Sequence, residues 1–563
     1  MDTRSSPESP ITTDANIPRS APADPVGALR AALDDAAHAL VGDGRPARAR
    51  LERPPRADFG DYSTNAPMLL APAFQEAPRV VAERLGEALR ERLGSSLERI
   101  DVAGPGFLNL FVSDAWCREA LAGLSAAGEG YGAGRPAAPE RILVEFVSAN
   151  PTGPITVAAG RHAAYGDALC RLLEWAGHEV EREYYVNDFG SQVRRFGESI
   201  KARARGEEPP PDGYKGGYIG ELAAMIDGAA EADPDELADR GVALMLEGVR
   251  ETLERARVSF DAFFSERALH ESGAIDEAIG RLAESEQAYR SDGALWLRST
   301  ALGDDKDRVL TRSTGEHTYF APDIAYHLDK RSRGYDRLID VWGSDHHGYV
   351  SRMQAAWLAL GGEPGRLELV IMQFVNLMER GVRVPMSKRE GEFVTLDDLM
   401  DDIGVDAVRF FLLQRSHNTT LDLDLALARE QSQENPVYYV QYAHARIASI
   451  LRRAEEGRVA AALAVDPALH GEPLHPSERA LLKRLLEFPG EVATAAECRA
   501  PHRLTAYAHD VAQDFSAFYR DCRVIGAIED GADEDFRLAL SVAARRVIAR
   551  ALDLLGVEAP ETM

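Results

Sequence analysis

Cysteine is scarce in this sequence. The four present, Cys117, Cys170, Cys498 and Cys522, are scattered among 563 residues with no C-x-x-C and no paired spacing. That excludes a zinc knuckle and a disulfide framework, and it suits a reducing compartment such as the cytoplasm. Long apolar runs are missing too; none approaches the ~20 residues that a membrane-spanning helix needs. Residues 1–25, rich in Pro, Ser and Asp, lack the apolar stretch of a signal peptide and read as a disordered tail. Basic charge is in deficit: 64 Lys and Arg stand against 91 Asp and Glu, a net charge of -27. Such a balance favours solubility and argues against coating membranes or generic DNA. It leaves room for a local basic groove.

What is present is enough hydrophobic sequence, 45%, for three or four packed domains. Residues 26–127 read as a small α+β domain, with helical periodicity in VGALRAALDDAAHAL and RVVAERLGEALRERL and a closing strand in AGPGFLNLFVS. Between them, Arg45, Arg48, Arg50, Arg53 and Arg56 form a basic, turn-rich stretch. Two readings of it stand: a nucleic-acid contact or a solvated loop. Gly128 to Arg141 is a linker by composition.

Residues 138–410 carry two strand–turn–helix–strand halves. The first is ILVEFV, a helix through DALCRLLEWAG, and HEVEREYYVND; the second is LIDVWG, a helix from about Tyr349 to Leu360, and LELVIMQFVNL. A helical insert is expected over about 196–284, and strand-like pieces at ALWLRST and KDRVLTRSTGEHTYFAPDIAYH. Two halves split by an insert predict an α/β, doubly wound Rossmann-type domain that binds ligands at the carboxyl ends of its strands. From Val405 on, every segment has helical periodicity and none reads as a strand, so residues 411–563 are expected to form an α-helical bundle.

The turn ANPTGPITVAAGR, between a strand and a helix start, has the form of a phosphate cradle, yet it holds no Lys and no His before His162. Downstream, Met386, Ser387, Lys388 and Arg389 sit between a short strand and a helix, where a lysine could stabilise a leaving pyrophosphate. In VWGSDHHGY, Gly343, Asp345, His346 and His347 end a strand and begin a helix. The adjacent histidines point apart and no third ligand is evident, so no metal site is read here.

The second loop resembles the KMSKS loop of class I aminoacyl-tRNA synthetases, and the first turn resembles their HIGH motif. With VEFVSANPTGP, REYYVNDFGSQ, YFAPDIAYH, VWGSDHHGY and NPVYYVQYAHARI, nearly the whole chain is similar to the arginyl-tRNA synthetase family. The resemblance implies that ATP and L-arginine form arginyl-adenylate with Mg2+, and that arginine then passes to tRNA(Arg). It implies arginine contacts at Glu145, Ser148, Asn150, Tyr319 and Asp323, with Asp323 on the guanidinium and Tyr319 beside it. It implies ATP contacts at Pro151, Gly153, Val157, Ala158, Ala159, Gly343, Asp345, His346, Met386 and Ser387. Lys388, Thr156 and Arg161 are the catalytic candidates. GDYSTN, with Asn65, and AGPGFLN resemble an additional domain that touches the tRNA elbow; the C-terminal helices resemble an anticodon-binding domain. Tyr442, His444, Arg446, Tyr507 and Tyr519 read either as RNA contacts or as packing residues. A cytoplasmic monomer without DNA or membrane partners is expected.

The match fails at one place. The family's His-x-Gly-His falls on Thr156, Val157, Ala158 and Ala159, so both histidines are gone; Pro385 replaces the first lysine of KMSKS while Lys388 keeps the second. Three readings remain: an active arginine–tRNA ligase, favoured because the terminal domains and the pocket residues persist; a paralogue that binds tRNA or arginine without ligating them; and a carrier-independent arginyl transferase.

Overall fold

The computed structural model describes residues 24–41, 50–54, 56–385, 387–389, 392–464, 472–530 and 532–563, giving only the backbone at 57, 387–389, 392, 393, 456 and 530. The tail reading, apart from its last two residues, and the readings of Arg45, Arg48 and Met386 lie outside the described residues. Helix Pro25–Val41 opens the N-terminal domain. A four-stranded antiparallel sheet follows, in the order Leu51–Glu52, Tyr62–Thr64, Phe107–Val112, Leu97–Ala103. Helix Pro78–Leu93 packs its Val81, Leu85 and Leu89 stripe, at spacing four, into the core beneath it.

The catalytic-type domain is built on a fully parallel five-stranded sheet. Its strands are β1 (Arg141–Glu145), β2 (Glu179–Val186), β3 (Ala262–Ser265), β4 (Arg337–Gly343) and β5 (Leu367–Met372), in the spatial order β5-β4-β1-β2-β3. The alternate residues Ile142 and Val144 of β1 pack on the face where helix α1 (Val157–Trp175) lies, while Leu143 packs on the other. The chain winds from β1 through β2 to β3, then returns to β4 on the other side of β1. The crevice between the carboxyl ends of β1 and β4 is therefore the topological switch point.

Three expectations are corrected. The insert is not wholly helical: after helices Ser191–Ala204, Gly217–Met225 and Pro234–Arg255 it supplies β3, the edge strand of the main sheet. YFAPDIAYH is not strand-like but opens helix α2 (Phe320–Ser332). The chain beyond Val405 is not free of strand. LELVIMQFVNL divides into β5 and β6 (Val375–Glu379), and β6 pairs in parallel with β7 (Leu421–Asp424). LDLD buries Leu421 and Leu423 on one side of that strand, the alternation of a half-buried strand.

Helices Pro436–Arg453, Pro476–Leu486, Phe488–Glu497, His502–Asp521 and Glu534–Leu554 form the C-terminal bundle. It is joined to the N-terminal domain at Asp61 in GDYSTN. This buried carboxylate accepts from Val112 N (2.9 Å), from Arg479 Nη2 (3.1 Å) and from Lys483 Nζ (2.5 Å) of the bundle. Arg479 also donates to Asp114, and Tyr131 Oη donates to the Leu485 carbonyl at 3.1 Å.

Candidate active site

Three carboxylates stand in a row across the sheet. Glu145 of β1 is in register with Asp340 of β4 and with Glu183 of β2, so all three project to one face. All are buried, and such a row persists only if it is paired. Helix α2 and its C-cap supply the partners from one stripe. Lys330 Nζ donates to Glu145 Oε2 (2.6 Å) and to Asp340 Oδ1 (2.8 Å), and His327 Nε2 lies 2.8 Å from Asp340 Oδ2. Tyr326 Oη and Arg333 Nη1 each donate to Glu183 at 2.6 Å. Burial opposes ionisation of Asp340, but Lys330 and His327 outweigh it and bring its pKa down to about 2. Burial raises Glu145 against the pull of Lys330, and Asp340 adds to that rise.

Beyond Glu145 the chain kinks through Val147 (φ 68°) and Ser148 (φ 40°). Left-handed backbone at a β-branched residue costs on the order of 1–3 kcal/mol. The kink turns Ser148 back, so that its Oγ donates to Glu145 Oε1 at 2.8 Å and accepts from Tyr185 N at 3.1 Å. Glu145 and Ser148 are thus fixed before any ligand arrives, while Asn150 is exposed at the mouth of the turn.

Asp323 lies in the first turn of α2 and accepts from Tyr349 Oη at 2.5 Å. Tyr319 does not join it; 87% exposed, this side chain stands in solvent at the helix start, and Tyr349 is the aromatic partner instead. Sequence reasoning missed Glu266, which follows β3. Burial and then the charge of Asp323 push its carboxyl up to about 7, and the Tyr185 hydroxyl bonds to it. Burial raises Asp323 as well. A carboxyl raised by burial and by a neighbouring carboxylate marks a place for a cation. Nothing near FFSERAL signals this, because Glu266 reaches Asp323 only once β3 joins the sheet.

The turn that carries Thr156 is strapped to the segment following Lys388. Leu396 N donates to Ile155 O (2.8 Å), Val157 N to Val394 O (3.4 Å), and Thr156 bridges Thr395. Ser387–Arg389 form a short strand paired with Glu392–Phe393, not a turn; the Ser387 and Lys388 side chains lie outside the described residues. Thr156 caps α1, accepting from Ala159 N at 3.4 Å, and its carbonyl accepts from Gly160 N at 2.8 Å. Three of the first four amides of α1, those of Val157, Ala159 and Gly160, are therefore spent inside the protein. Pro151 and Val157 are buried, Gly153 is half-buried and Ala158 is exposed.

Arg161 does not face the cradle. Its guanidinium is 1% exposed and donates to the carbonyls of Gln373 (2.7 Å), Phe374 (3.3 Å), Ser416 and Thr419 (both 3.0 Å). It is a positioning residue that clamps two loops, and its expected catalytic role is corrected accordingly. Burial and the neighbouring Arg161 charge take His162 down to about 4, with its ring bonded to the Val341 backbone. Gly343 ends β4, and a Cβ there would meet Asp345 Oδ1 at 2.5 Å; Asp345 and His346 are exposed beyond it, 3.5 Å apart.

Outside this crevice, Tyr442 stacks on Tyr438 with ring centroids 6.2 Å apart, and the Arg446 guanidinium lies 4.6 Å from the Tyr442 ring and 5.0 Å from that of Tyr519. His444 and Tyr507 are buried packing residues, bonded to the Pro560 and Arg484 carbonyls. Asn65 accepts from Arg50 N at 3.4 Å. Arg50, Arg53 and Arg56 are paired with Glu52, Glu487 and Asp58.

Family models match along the chain in the same order as these domains. The arginyl tRNA synthetase N terminal domain matches residues 27–112; the catalytic domain of tRNA synthetases class I (R) matches 129–203 and 232–427; the DALR anticodon binding domain matches 440–563. The arginine–tRNA ligase of Geobacillus kaustophilus is 46% identical over 91% of this chain and 94% of its own length. That of Frankia alni is 45% identical over 96% of this chain and 100% of its own. The solved arginyl-tRNA synthetase of Thermus thermophilus superposes with a TM-score of 0.74 at 25% identity, covering 95% of this chain and 100% of that one. With three models spanning most of its length in order and such relatives over nine-tenths of it, the chain belongs to the arginyl-tRNA synthetase family of class I.

Proposed function

We propose that the chain joins L-arginine to tRNA(Arg) at the expense of ATP, through arginyl-adenylate. The single observation that carries this reading is the Asp323–Glu266 pair beside the switch-point crevice, two carboxylates raised by burial, Glu266 further by the charge of Asp323. A planar guanidinium is a cation whose forked donors suit such a pair.

Glu145 and Ser148 receive the amino-acid head group. Each Glu145 oxygen keeps a lone pair after its bond to Lys330 or Ser148, and Asn150 closes the mouth. ATP lies along the turn at Pro151, Gly153, Thr156, Val157, Ala158 and Ala159, with its nucleoside against Gly343, Asp345 and His346. Met386, Ser387 and Lys388 cover the phosphates. In the first step an arginine carboxylate oxygen bonds to the α-phosphorus while the bond to the bridging oxygen breaks, and its electron pair leaves with pyrophosphate. In the second step a hydroxyl of the terminal ribose attacks the arginyl carbonyl, the bond from that carbon to the phosphate oxygen breaks, and AMP leaves with the hydroxyl proton taken up by its phosphate or by water.

Mg2+ supplies charge neutralisation on the phosphates. Among the described residues no three His, Cys, Asp or Glu side chains converge on one point. The ion is carried in by the nucleotide, with phosphate and water ligands. The Tyr442–Arg446–Tyr519 stack takes RNA bases in the anticodon arm, and the N-terminal domain, including Asn65, meets the rest of the tRNA. Under this reading the chain is a cytoplasmic monomer without a DNA partner; no described helix is long and apolar enough to cross a membrane.

The test is an acid-precipitation assay with labelled arginine, ATP, Mg2+ and tRNA(Arg). Arginyl-tRNA should form, and Lys388→Ala should slow it by about 100-fold, the size of loss expected for one transition-state charge contact. Wild-type protein that charges no tRNA, joined to activity in Thr156→His/Ala158→Gly/Ala159→His, would favour the non-ligating paralogue.

A further inference from the structure

We infer that Lys215, in the insert, is the cation that meets the ATP phosphates over the turn where the two histidines are missing. The inference rests on the ATP site proposed above. A cavity of about 790 Å³ opens beside that turn. Its floor is made by Thr156 and Ala159, the two positions that lack imidazoles, and its roof by the insert loop that includes Tyr214, Lys215 and Tyr218. Among the described residues lining it, Lys215 is the only cation, and it stands beside the carboxylates Asp212, Glu221 and Asp398, so any phosphate held there depends on it.

The loop is held over the turn at several points. Tyr218 Oη donates to the Thr152 carbonyl at 2.8 Å, and a Cβ on Gly153 would already lie 3.4 Å from that hydroxyl. Tyr214 N donates to Ser199 Oγ at 2.9 Å, and the Tyr214 ring packs edge-on against Phe196, with centroids 5.6 Å apart. Lys215 is exposed between these anchors, on a loop tied to the turn and to helix Ser191–Ala204.

The turn needs such a group. Three of the first four α1 amides are already bonded, and Thr156 offers one hydroxyl. As the α-phosphorus gains its bond to the arginine carboxylate and loses the bond to pyrophosphate, negative charge gathers on the departing β- and γ-phosphates. A cation placed there acts on the transition state more than on bound ATP. No proton is exchanged in that step. Lys215 also lies within residues 204–231, the stretch that the catalytic-domain model leaves unmatched.

The experiment compares wild type, Lys215→Met, Lys215→Gln and Lys215→Arg in aminoacylation and in tRNA-dependent ATP–pyrophosphate exchange. Each is repeated in the Thr156→His/Ala158→Gly/Ala159→His background. Both neutral variants should lower kcat by about 10- to 100-fold with the KM for arginine unchanged, and Lys215→Arg should recover most of the rate. In the histidine background the same neutral variants should cost less than about threefold, since imidazoles then do the same work. Wild-type rates in both neutral variants, while Lys388→Ala remains slow, would overturn the role of Lys215 and leave the ligase reading standing. Equal losses in both backgrounds would overturn it too. A wild type that neither charges tRNA nor exchanges pyrophosphate would overturn the ligase reading and this inference together.

Discussion

Lys330 Nζ lies 2.6 Å from Glu145 Oε2, and the lysine side chain has no solvent exposure at all. The same ammonium is 2.8 Å from Asp340, so one cation fixes the carboxylate at the end of the central strand from underneath. Removing it leaves Asp340 with His327 and Glu145 with only the Ser148 hydroxyl. Lys330→Met should destabilise the fold by about 3–5 kcal/mol, read as a lowered denaturant midpoint. The pH dependence has a definite sign. Asp340 titrates at about 2 in the fold, below its ordinary value of 3.8. Its contribution is complete above pH ~4 and is lost as pH falls toward 2. Asp340→Asn should flatten the acid limb of the stability curve over that window.

Arginine binding should release a proton near neutrality. Glu266 holds its proton up to about pH 7 in the empty pocket, through burial and then the charge of Asp323. Its raised value costs the empty fold stability progressively from pH ~4.5 to 7, and an arriving guanidinium removes that cost. Affinity for arginine should therefore fall by about tenfold between pH 8 and pH 6. Calorimetry in two buffers of different ionisation enthalpy should detect the proton at pH 6.5, and Glu266→Gln should abolish it. Asp323→Ala should remove measurable arginine binding. Unchanged affinity in that folded variant would move the pocket elsewhere.

Arg161 makes a different prediction from a catalytic arginine. Its five donors serve four loop carbonyls from a buried position. Arg161→Met leaves those carbonyls without partners and should lower stability by about 3 kcal/mol, on a scale of 1–3 kcal/mol per unsatisfied buried group. Chemical denaturation measures this directly, and a variant as stable as wild type would contradict the clamp.

The surface stack on the bundle separates RNA contact from packing. Tyr442→Ala and Arg446→Ala should each weaken tRNA binding by about 1–3 kcal/mol, with the KM values for arginine and ATP unchanged. Tyr507→Phe removes only a hydroxyl bonded to the Arg484 carbonyl inside the core, so its tRNA affinity should equal that of wild type. Filter binding at two salt concentrations distinguishes these outcomes.

The doubly wound core was legible because β1 is a largely apolar run, β4 and β5 are mostly apolar, and the helices keep 3.6-residue periodicity. The strands β3 and β7 were not. AFFS and LDLD are four residues each, and their partners, β2 and β6, lie 75 or more residues before β3 and 40 or more before β7, so no local pattern announces them. The site divides in the same way. Glu145 and Ser148 sit at the end of a strand that the sequence marks, whereas Asp323 was named by its motif on a stretch read as strand-like that is the first turn of α2. Glu266 becomes a pocket residue only through the β2–β3 pairing. Tyr319 and Arg161 were assigned by position in a motif, and the orientation of a side chain is decided by burial that a motif does not encode: one faces solvent, the other faces loop carbonyls.

Asp61 gives the molecule a fixed jaw width. Arg479 and Lys483 both donate to this carboxylate of the N-terminal domain, so sliding that domain along the helical bundle to suit an RNA of other proportions would break a buried ion pair. An RNA that grips both must bring the matching length from elbow to anticodon. Under the proposed function, a tRNA with one base pair added to its anticodon arm should be charged more slowly with every recognised base intact, because the distance between the two domains is set by the protein.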